Sequence, residues 1–366
     1  MNKYAMNEIS LKQFIFIIFE TQVGIGVLSL PRDLAKTAGT DGWISILLGW
    51  LLSILLSLIV IKIMEKNPEY TIFDILTKYF GKWIGRSLSV LWVLYALYLA
   101  GVALFSTVHL LKIWILPDTR SYILTILFII PNYMIIKHGI RIIGIFSEFV
   151  FMILLAIPIL LIYALKDVQW LYLLPIAKEG LFPILSTVKS TILTFLGFEM
   201  GFILYPFLKE KKSAFKGIVI GNSLSMIIFL MVTVVSFVKF APEEILEYTY
   251  PTLNLMKVVQ FPFMERLEII FLPFYLFMPF MTTIPYLYMT VLGVSQLLGK
   301  QDHRAPLIMI LSLWILISIF FIPSSFQITQ LNTYVAKIGI YFAYLFPIFL
   351  WIYGWFFHYH RKGQIQ

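Results

Sequence analysis

The chain is 366 residues long, 60% hydrophobic and only 13% charged, with a mean hydropathy of +0.90. That is too little charge to coat a soluble domain of this size, so the composition defines a membrane protein. The net charge of +9 does not call for nucleic acid, because basic loops facing anionic lipid give the same sign. The absence of cysteine excludes disulfides, thiol nucleophiles and cysteine metal sites.

Apolar runs of about 20 residues recur from end to end, each long enough to cross a hydrocarbon core of ~30 Å as a helix. They are continuous rather than alternating, which argues against a strand-type barrel. Lipid forces a spanning backbone to satisfy itself, so the runs are helices. The first covers 11–37. Ser10, with Gln13 three residues on, reads as its capped start. The polar opening MNKYAMNEISLKQ, with no small-residue cleavage site after it, is not expected to be a cleavable signal. Inside this first run stands VGIGVLSLP, where Gly24 and Gly26 follow Glu20 and Pro31 closes the stretch. The second span covers 42–64. TIFDILTKYF (71–80) then puts Ile72, Ile75, Leu76 and Tyr79 on one helical face, the pattern of a helix lying on the membrane surface.

Further spans are expected at 84–112, 120–138 and 140–165, the last two joined tightly at Lys137-His138-Gly139. The sixth, 184–208, contains TILTFLGFEMGFILYP, broken by Gly197 and Gly201 beside Glu199 and closed by Pro206. A seventh covers 214–240. The loop 241–261 carries Glu243, Glu244 and Glu247 and then an amphipathic turn started by Pro251; it reads either as a lid over an outer vestibule or as an interfacial loop helix. Spans at 264–292, 305–322 and 334–358 complete an all-α polytopic protein of about ten transmembrane helices, taken as one permease-like domain over 1–366. Lys and Arg concentrate in the loops that fall inside when the N-terminus is inside, which predicts both termini in the cytoplasm.

Gly24 and Gly197 lie half a chain length apart. Five of the expected spans precede the sixth, and five is odd, so the second half (about 171–366) runs through the membrane upside down relative to the first (about 1–170). This is the pattern of a five-plus-five inverted repeat with discontinuous helices 1 and 6. A broken helix frees N–H groups on one stub and C=O groups on the other, and hydrocarbon tolerates these only around a polar ligand or buried water. The amides of Ile25, Gly26 and Val27 are placed to face an anion. The carbonyls of Thr194, Phe195 and Leu196, before Gly197, are placed to face a cation. A zwitterion such as an amino acid carries both. Tyr95 and Tyr98 on span 3, with Phe195 and Phe198 on span 6, are candidates to wall the pocket. The competing reading of each glycine is close helix packing.

Ionisable groups inside a membrane are functional candidates by default. Glu20 and Glu199 both fall on the cytoplasmic side of the breaks, as candidate coupling or gating groups; the alternative is that each is separately satisfied by hydroxyls or water. Lys189 either snorkels outward or lines the vestibule. Thr282 and Thr283, in MPFMTTIPYL, either join a cation site or cap carbonyls released by Pro279 and Pro285. The five histidines are scattered and show no metal-ligand spacing. There is no phosphate loop, nucleophile elbow or dinucleotide fingerprint, so no enzyme, cofactor or metal is expected.

ISLKQFIFIIFETQVGIGVLSLPRDLAKTAGTDGWISILLG resembles the opening of the spore germination permeases, the B subunits of nutrient germinant receptors. NPEYTIFDILTKYFGKWIG, LPDTRSYIL and HGIRIIGIFSE resemble the segments that follow in that family, in the same order. The family is similar to the amino acid–polyamine–organocation transporters, whose sodium-coupled relatives place a threonine/serine pair on helix 8 against helix 1. The resemblance implies a protein of the spore inner membrane that senses amino acids, sugars or nucleosides. It also implies partners, an A subunit and a C-subunit lipoprotein. Without it, a proton- or sodium-coupled amino acid importer would be the first reading, with an ion or water channel as a third.

Overall fold

Two local signals set the start of the chain. The Ser10 hydroxyl accepts the Gln13 N–H (3.2 Å) and the Gln13 side chain accepts the Ser10 N–H (2.9 Å), which opens helix α1, Leu11–Gln22. The computed structural model describes residues 7–24, 26–178, 180–258, 268–300, 302–321 and 323–362. The first predicted span is two helices, α1 and α2 (Gly26–Ala38), and α3 (Gly42–Glu65) returns across the membrane.

Helix α4 (Ile72–Trp114) contains the predicted surface helix and third span in one element, bent where Gly81 takes φ +78. That left-handed conformation suits glycine, and it lets 72–80 lie across the bundle before the chain turns into the membrane. Helices α5 (Ser121–Ile136), α6 (Ile140–Leu154) and α7 (Ala156–Tyr163) follow. The sixth predicted span is α8 (Leu181–Thr194) and a short helical stretch, 198–207, that contains α9 (Gly201–Leu204) and bends from α8 by 45°. Then come α10 (Ala214–Lys239), α11 (Glu244–Glu247), α12 (Pro251–Val258), α13 (Glu268–Tyr275), α14 (Phe277–Leu297), α15 (Arg304–Phe320), α16 (Ser325–Gly339) and α17 (Phe346–Lys362). A π-helical turn, Ile340–Leu345, joins the last two.

By length and composition, six helical stretches among the described residues can cross a bilayer and the bent pair makes a seventh; 121–136 and 304–320 are apolar but shorter. Residues 259–267, where the loop after α12 and the predicted start of the eighth span fall, lie outside the described residues. The last span begins at Ser325 rather than 334, because the Ser324–Gln327 capping box starts its helix early. Helix α14 packs along α4, and α1 packs on α10, α6 and α14. The Ile9 N–H and C=O pair with the Phe207 carbonyl (2.9 Å) and the Lys209 N–H (3.1 Å), tying the start of one half to the end of the other half's broken helix. Large apolar side chains such as Leu127, Met152 and Phe320 face outward, as lipid contact requires.

Candidate functional site

Helix α1 ends because its hydrogen-bond ladder runs out. The Val23 N–H still reaches the Phe19 carbonyl (3.0 Å), but the Gly24 N–H turns to the Gln22 carbonyl (3.0 Å). The Glu20 carbonyl therefore loses its helical donor. The Thr282 hydroxyl from α14 approaches it at 3.2 Å, and is 3.3 Å from the Met278 carbonyl of its own helix. A Cβ on Gly24 would lie 2.7 Å from Thr282 Oγ1, so the two helices meet this closely only with glycine there. The Tyr275 hydroxyl donates to the Gly24 carbonyl at 3.3 Å.

At the second break Gly197 holds φ +128. A Cβ there would lie 3.0 Å from Gln22 Cγ and 3.1 Å from both the Gln22 nitrogen and Thr21 Cγ2, so the two breaks touch. Glu199 folds its carboxylate back onto the break. Oε2 accepts the Gly197 N–H at 2.8 Å, and Oε1 accepts the hydroxyls of Tyr95 and Tyr286, each at 2.7 Å. Charge-assisted bonds of this kind are the strong ones, which explains how a carboxylate that is wholly buried is held. Glu20 is equally buried, yet neither of its side-chain oxygens has a hydrogen-bond partner among the described residues. The two carboxylates thus share their depth but not their surroundings.

Between the breaks runs a buried amide network. Gln22 Nε2 donates to the Phe195 carbonyl (3.0 Å) and to Asn222 Oδ1 (2.8 Å) on α10. Asn222 Oδ1 also accepts from Ser53 (3.2 Å), and Asn222 Nδ2 donates to Ser57 (3.0 Å), both on α3. The Phe195 carbonyl, expected to face a cation, is occupied by Gln22.

A cavity of about 560 Å³ runs from the end of α2 down to the breaks. Its floor is Thr21, Gln22, Gly24, Thr282 and Tyr286, and Gly26, Val27, Thr194 and Leu196 also line it. A Cβ on Gly26 would meet nothing within 4 Å, so this backbone is open to an occupant. One wall is a polar stripe of α16, with Thr329, Asn332 and Thr333. Arg32, Lys36, Lys189 and Lys337 line the mouth with Asp33, which lies 3.6 Å from Lys36. Lys189 is therefore a vestibule residue.

Other expected residues sit elsewhere. Phe195 packs edge-on against Phe229 and Phe198 against Tyr344, both fully buried outside the cavity lining. Tyr98 donates to the Leu331 carbonyl (3.1 Å) and Thr283 to the Pro279 carbonyl (2.9 Å). Ile25 lies outside the described residues.

The loop after α10 seats on the α2 stub. The Arg32 Nε–H donates to the Leu246 carbonyl (2.9 Å), the Thr252 hydroxyl to the Val27 carbonyl (3.0 Å), and Thr249 and Tyr250 reach the cavity. In the same loop the Tyr248 hydroxyl donates to Glu244 at 2.6 Å, and that bond, with some burial, holds the phenol above its ordinary pKa.

Sequence reasoning missed Gln22, Asn222, Tyr286 and the α16 stripe. Ser325, Thr329, Asn332 and Thr333 recur at helical spacing just ahead of the predicted last span, and Ser324 with Gln327 marked their helix start. Gln22 stands beside the break, a polar side chain in an apolar run. No group of three His, Cys, Asp or Glu residues suited to a metal occurs among the described residues.

A helical membrane bundle with two mid-membrane breaks facing one cavity is the architecture of a secondary transporter. Solved structures share it. MhsT in complex with L-phenylalanine aligns with a TM-score of 0.66 at 13% identity, covering 90% of this chain and 86% of that one. A sodium-coupled sialic acid symporter in a substrate-bound outward-open state aligns at 0.66 and 15%, covering 92% and 78%. The chain itself belongs to the spore germination protein family, whose model matches residues 8–356. Among curated relatives, spore germination protein GerQB of Bacillus cereus is 28% identical over 351 residues, 94% of this chain and 95% of that one. Spore germination protein YndE of Bacillus subtilis (strain 168) is 30% identical over 301 residues, 81% of this chain and 82% of its own.

Proposed function

We propose that this chain is the B subunit of a nutrient germinant receptor of the spore inner membrane, and that it senses a small polar nutrient, amino acid-like in size and charge. The observation that carries this reading is the cavity of about 560 Å³ whose floor is made by the broken segment of helix 1 and whose wall includes Thr194 and Leu196 at the broken segment of helix 6. A volume of this size is that of a small-molecule site. The ligand's anionic end lies at the start of α2, where the helix presents positive dipole and Gly26 leaves the backbone bare. Its polar remainder meets Tyr286, Thr282 and the α16 stripe. Ligand signals by favouring one arrangement of the two broken helices over another, and A and C subunits receive that change. The mouth faces away from the cytoplasm, with both termini inside. Glu20 and Glu199 are the gating carboxylates. Binding and conformational change, without catalysis or cofactor, are enough for this role.

The test is a thermal-shift screen of the purified receptor complex against amino acids, sugars and nucleosides, repeated with Gly26→Val. A stabilising nutrient whose shift disappears in Gly26→Val, at unchanged basal melting, supports the site. A shift that survives Gly26→Val places the ligand elsewhere. Gradient-driven accumulation of that nutrient in vesicles holding this chain alone would replace the sensor by an importer.

A further inference from the structure

A second groove, of about 380 Å³, lies on the opposite side of the bundle from the cavity mouth, where the surface helix 72–80 meets the membrane run of α4 and the end of α14. Lys78, Thr77 and Arg86 line it together with Tyr70 and Asp74. The Asp74 carboxylate is turned toward the helix cap, where one of its oxygens accepts both the N–H and the hydroxyl of Thr71, at 3.0 Å each, and the groove sets two cations against this one anion. Lys78 is held in place by the Asn67 side chain (2.8 Å) and the face of Tyr70 (4.9 Å). The Arg86 guanidinium has no hydrogen bond or ion pair among the described residues.

What lies beside the groove decides its occupant. Trp83 is 86% exposed, and Val90 and Leu94, each one helical turn further along the stripe that starts at Arg86, are 43% and 52% exposed. Residues four apart share a helix face, so a bare guanidinium is followed directly by a bare apolar track running into the bilayer. An exposed tryptophan at this level marks the headgroup region. A soluble anion would use the cations and leave the track uncovered; an amphiphile uses both. We propose that this groove binds one anionic phospholipid, its phosphate between Lys78 and Arg86 and an acyl chain along Val90 and Leu94. An acidic segment of a partner protein would have no use for a track buried at membrane depth.

The probe is phosphatidylglycerol against phosphatidylcholine, counted by native mass spectrometry on the full-length protein after mild delipidation. One phosphatidylglycerol is retained in preference to phosphatidylcholine. Arg86→Gln lowers that preference about fivefold and Lys78→Gln/Arg86→Gln about 25-fold, at about 1 kcal/mol per basic residue near an anionic surface and 1.4 kcal/mol per factor of ten. Arg86→Lys keeps most of it. Because Arg86 has no bonding partner among the described residues, Arg86→Gln leaves melting unchanged and reads the site alone. Inorganic phosphate at millimolar concentration does not displace the lipid. Equal retention of both lipids, equal retention by Arg86→Gln, displacement by inorganic phosphate, or crosslinking of position 86 to a partner polypeptide in place of lipid would each overturn the proposal.

Discussion

Gly24→Ala tests the break in helix 1 most directly. The new Cβ would lie 2.7 Å from Thr282 Oγ1, well inside van der Waals contact, so the hydroxyl must rotate away. That hydroxyl is the donor nearest the Glu20 carbonyl, at 3.2 Å. Rotation leaves a buried carbonyl without a partner, which costs about 1–3 kcal/mol. Gly24 does not hold a positive φ, so alanine brings no backbone strain and recovers about 0.4–1 kcal/mol through the unfolded chain. The expected loss in the otherwise native protein is therefore about 0–2.6 kcal/mol, centred on about 1.3. In a Thr282→Ala background the clash is gone and the carbonyl is already unpaired, so Gly24→Ala should be neutral or slightly stabilising. Denaturant unfolding of the four proteins of this cycle, purified in detergent, gives the coupling, and residues in contact are where additivity fails. Equal loss from Gly24→Ala in both backgrounds would refute the assignment of Thr282 as the side chain that completes the break.

Gly197→Ala combines a φ of +128 with close contacts to Gln22 and Thr21 and should cost at least about 2 kcal/mol, whereas Gly26→Ala, with open space around it, should melt normally; parallel melting curves check the contrast. Tyr95→Phe and Tyr286→Phe each remove one donor from the buried Glu199 carboxylate and should each destabilise by about 1.5–3 kcal/mol, but only Tyr286, which lines the cavity, should also lose the ligand-induced shift. Asn222→Leu should cost more than Gln22→Leu, since Asn222 bonds Gln22, Ser53, Ser57 and the Ile218 carbonyl while Gln22 makes two bonds, to the Phe195 carbonyl and Asn222; both are read by thermal unfolding. The Tyr248–Glu244 bond raises the phenol's pKa, so its stabilisation is fully present below the ordinary tyrosine value of about 10 and is lost as pH rises through the folded value. The protection of the amides of residues 241–258, with the base-catalysed intrinsic exchange rate divided out at each pH, should therefore stay flat from about pH 6 to 9 and fall only above about 10, and Tyr248→Phe should remove that step.

The architecture was legible because it depends on patterns that survive without tertiary contacts. Continuous apolar runs gave the helices. Glycine beside glutamate, repeated half a chain apart, gave the two breaks and their inverted relation, and the period of Ile72, Ile75, Leu76 and Tyr79 gave the helix ahead of the Gly81 bend. What stayed hidden depends on which neighbour a polar group meets. Glu20 and Glu199 look alike in sequence, yet among the described residues Glu199 has three donors and Glu20 none, since Tyr95 and Tyr286 come from helices far apart in the chain. Phe195 and Phe198 stand beside the break but point into packing, because aromatic side chains near an unwound turn satisfy its apolar neighbours as readily as a ligand. Thr282 reaches helix 1 while Thr283 bonds back along its own helix, a choice set by one step of helical rotation. The last span starts before its apolar run because its first turns carry the polar stripe that faces the cavity.

The freed backbone groups explain how such breaks persist and what a ligand has left to do. Four of them have protein side chains as partners: the Glu20 carbonyl with Thr282, the Gly24 carbonyl with Tyr275, the Phe195 carbonyl with Gln22, and the Gly197 N–H with Glu199. The breaks therefore do not depend on a bound guest for their hydrogen bonding. Three of these partners come from outside the broken helix itself, so a shift of either break relative to α13, α14 or its counterpart exchanges several bonds at once. Taking a two-state equilibrium from one part in a hundred to ninety-nine requires about 5.5 kcal/mol of differential ligand affinity. At about 0.5–1.5 kcal/mol net for each neutral bond, and about 1.5–3 for those to a carboxylate, the set around the two breaks is of that size. A ligand that replaced even part of it in one arrangement and not in the other would carry enough free energy to switch the protein.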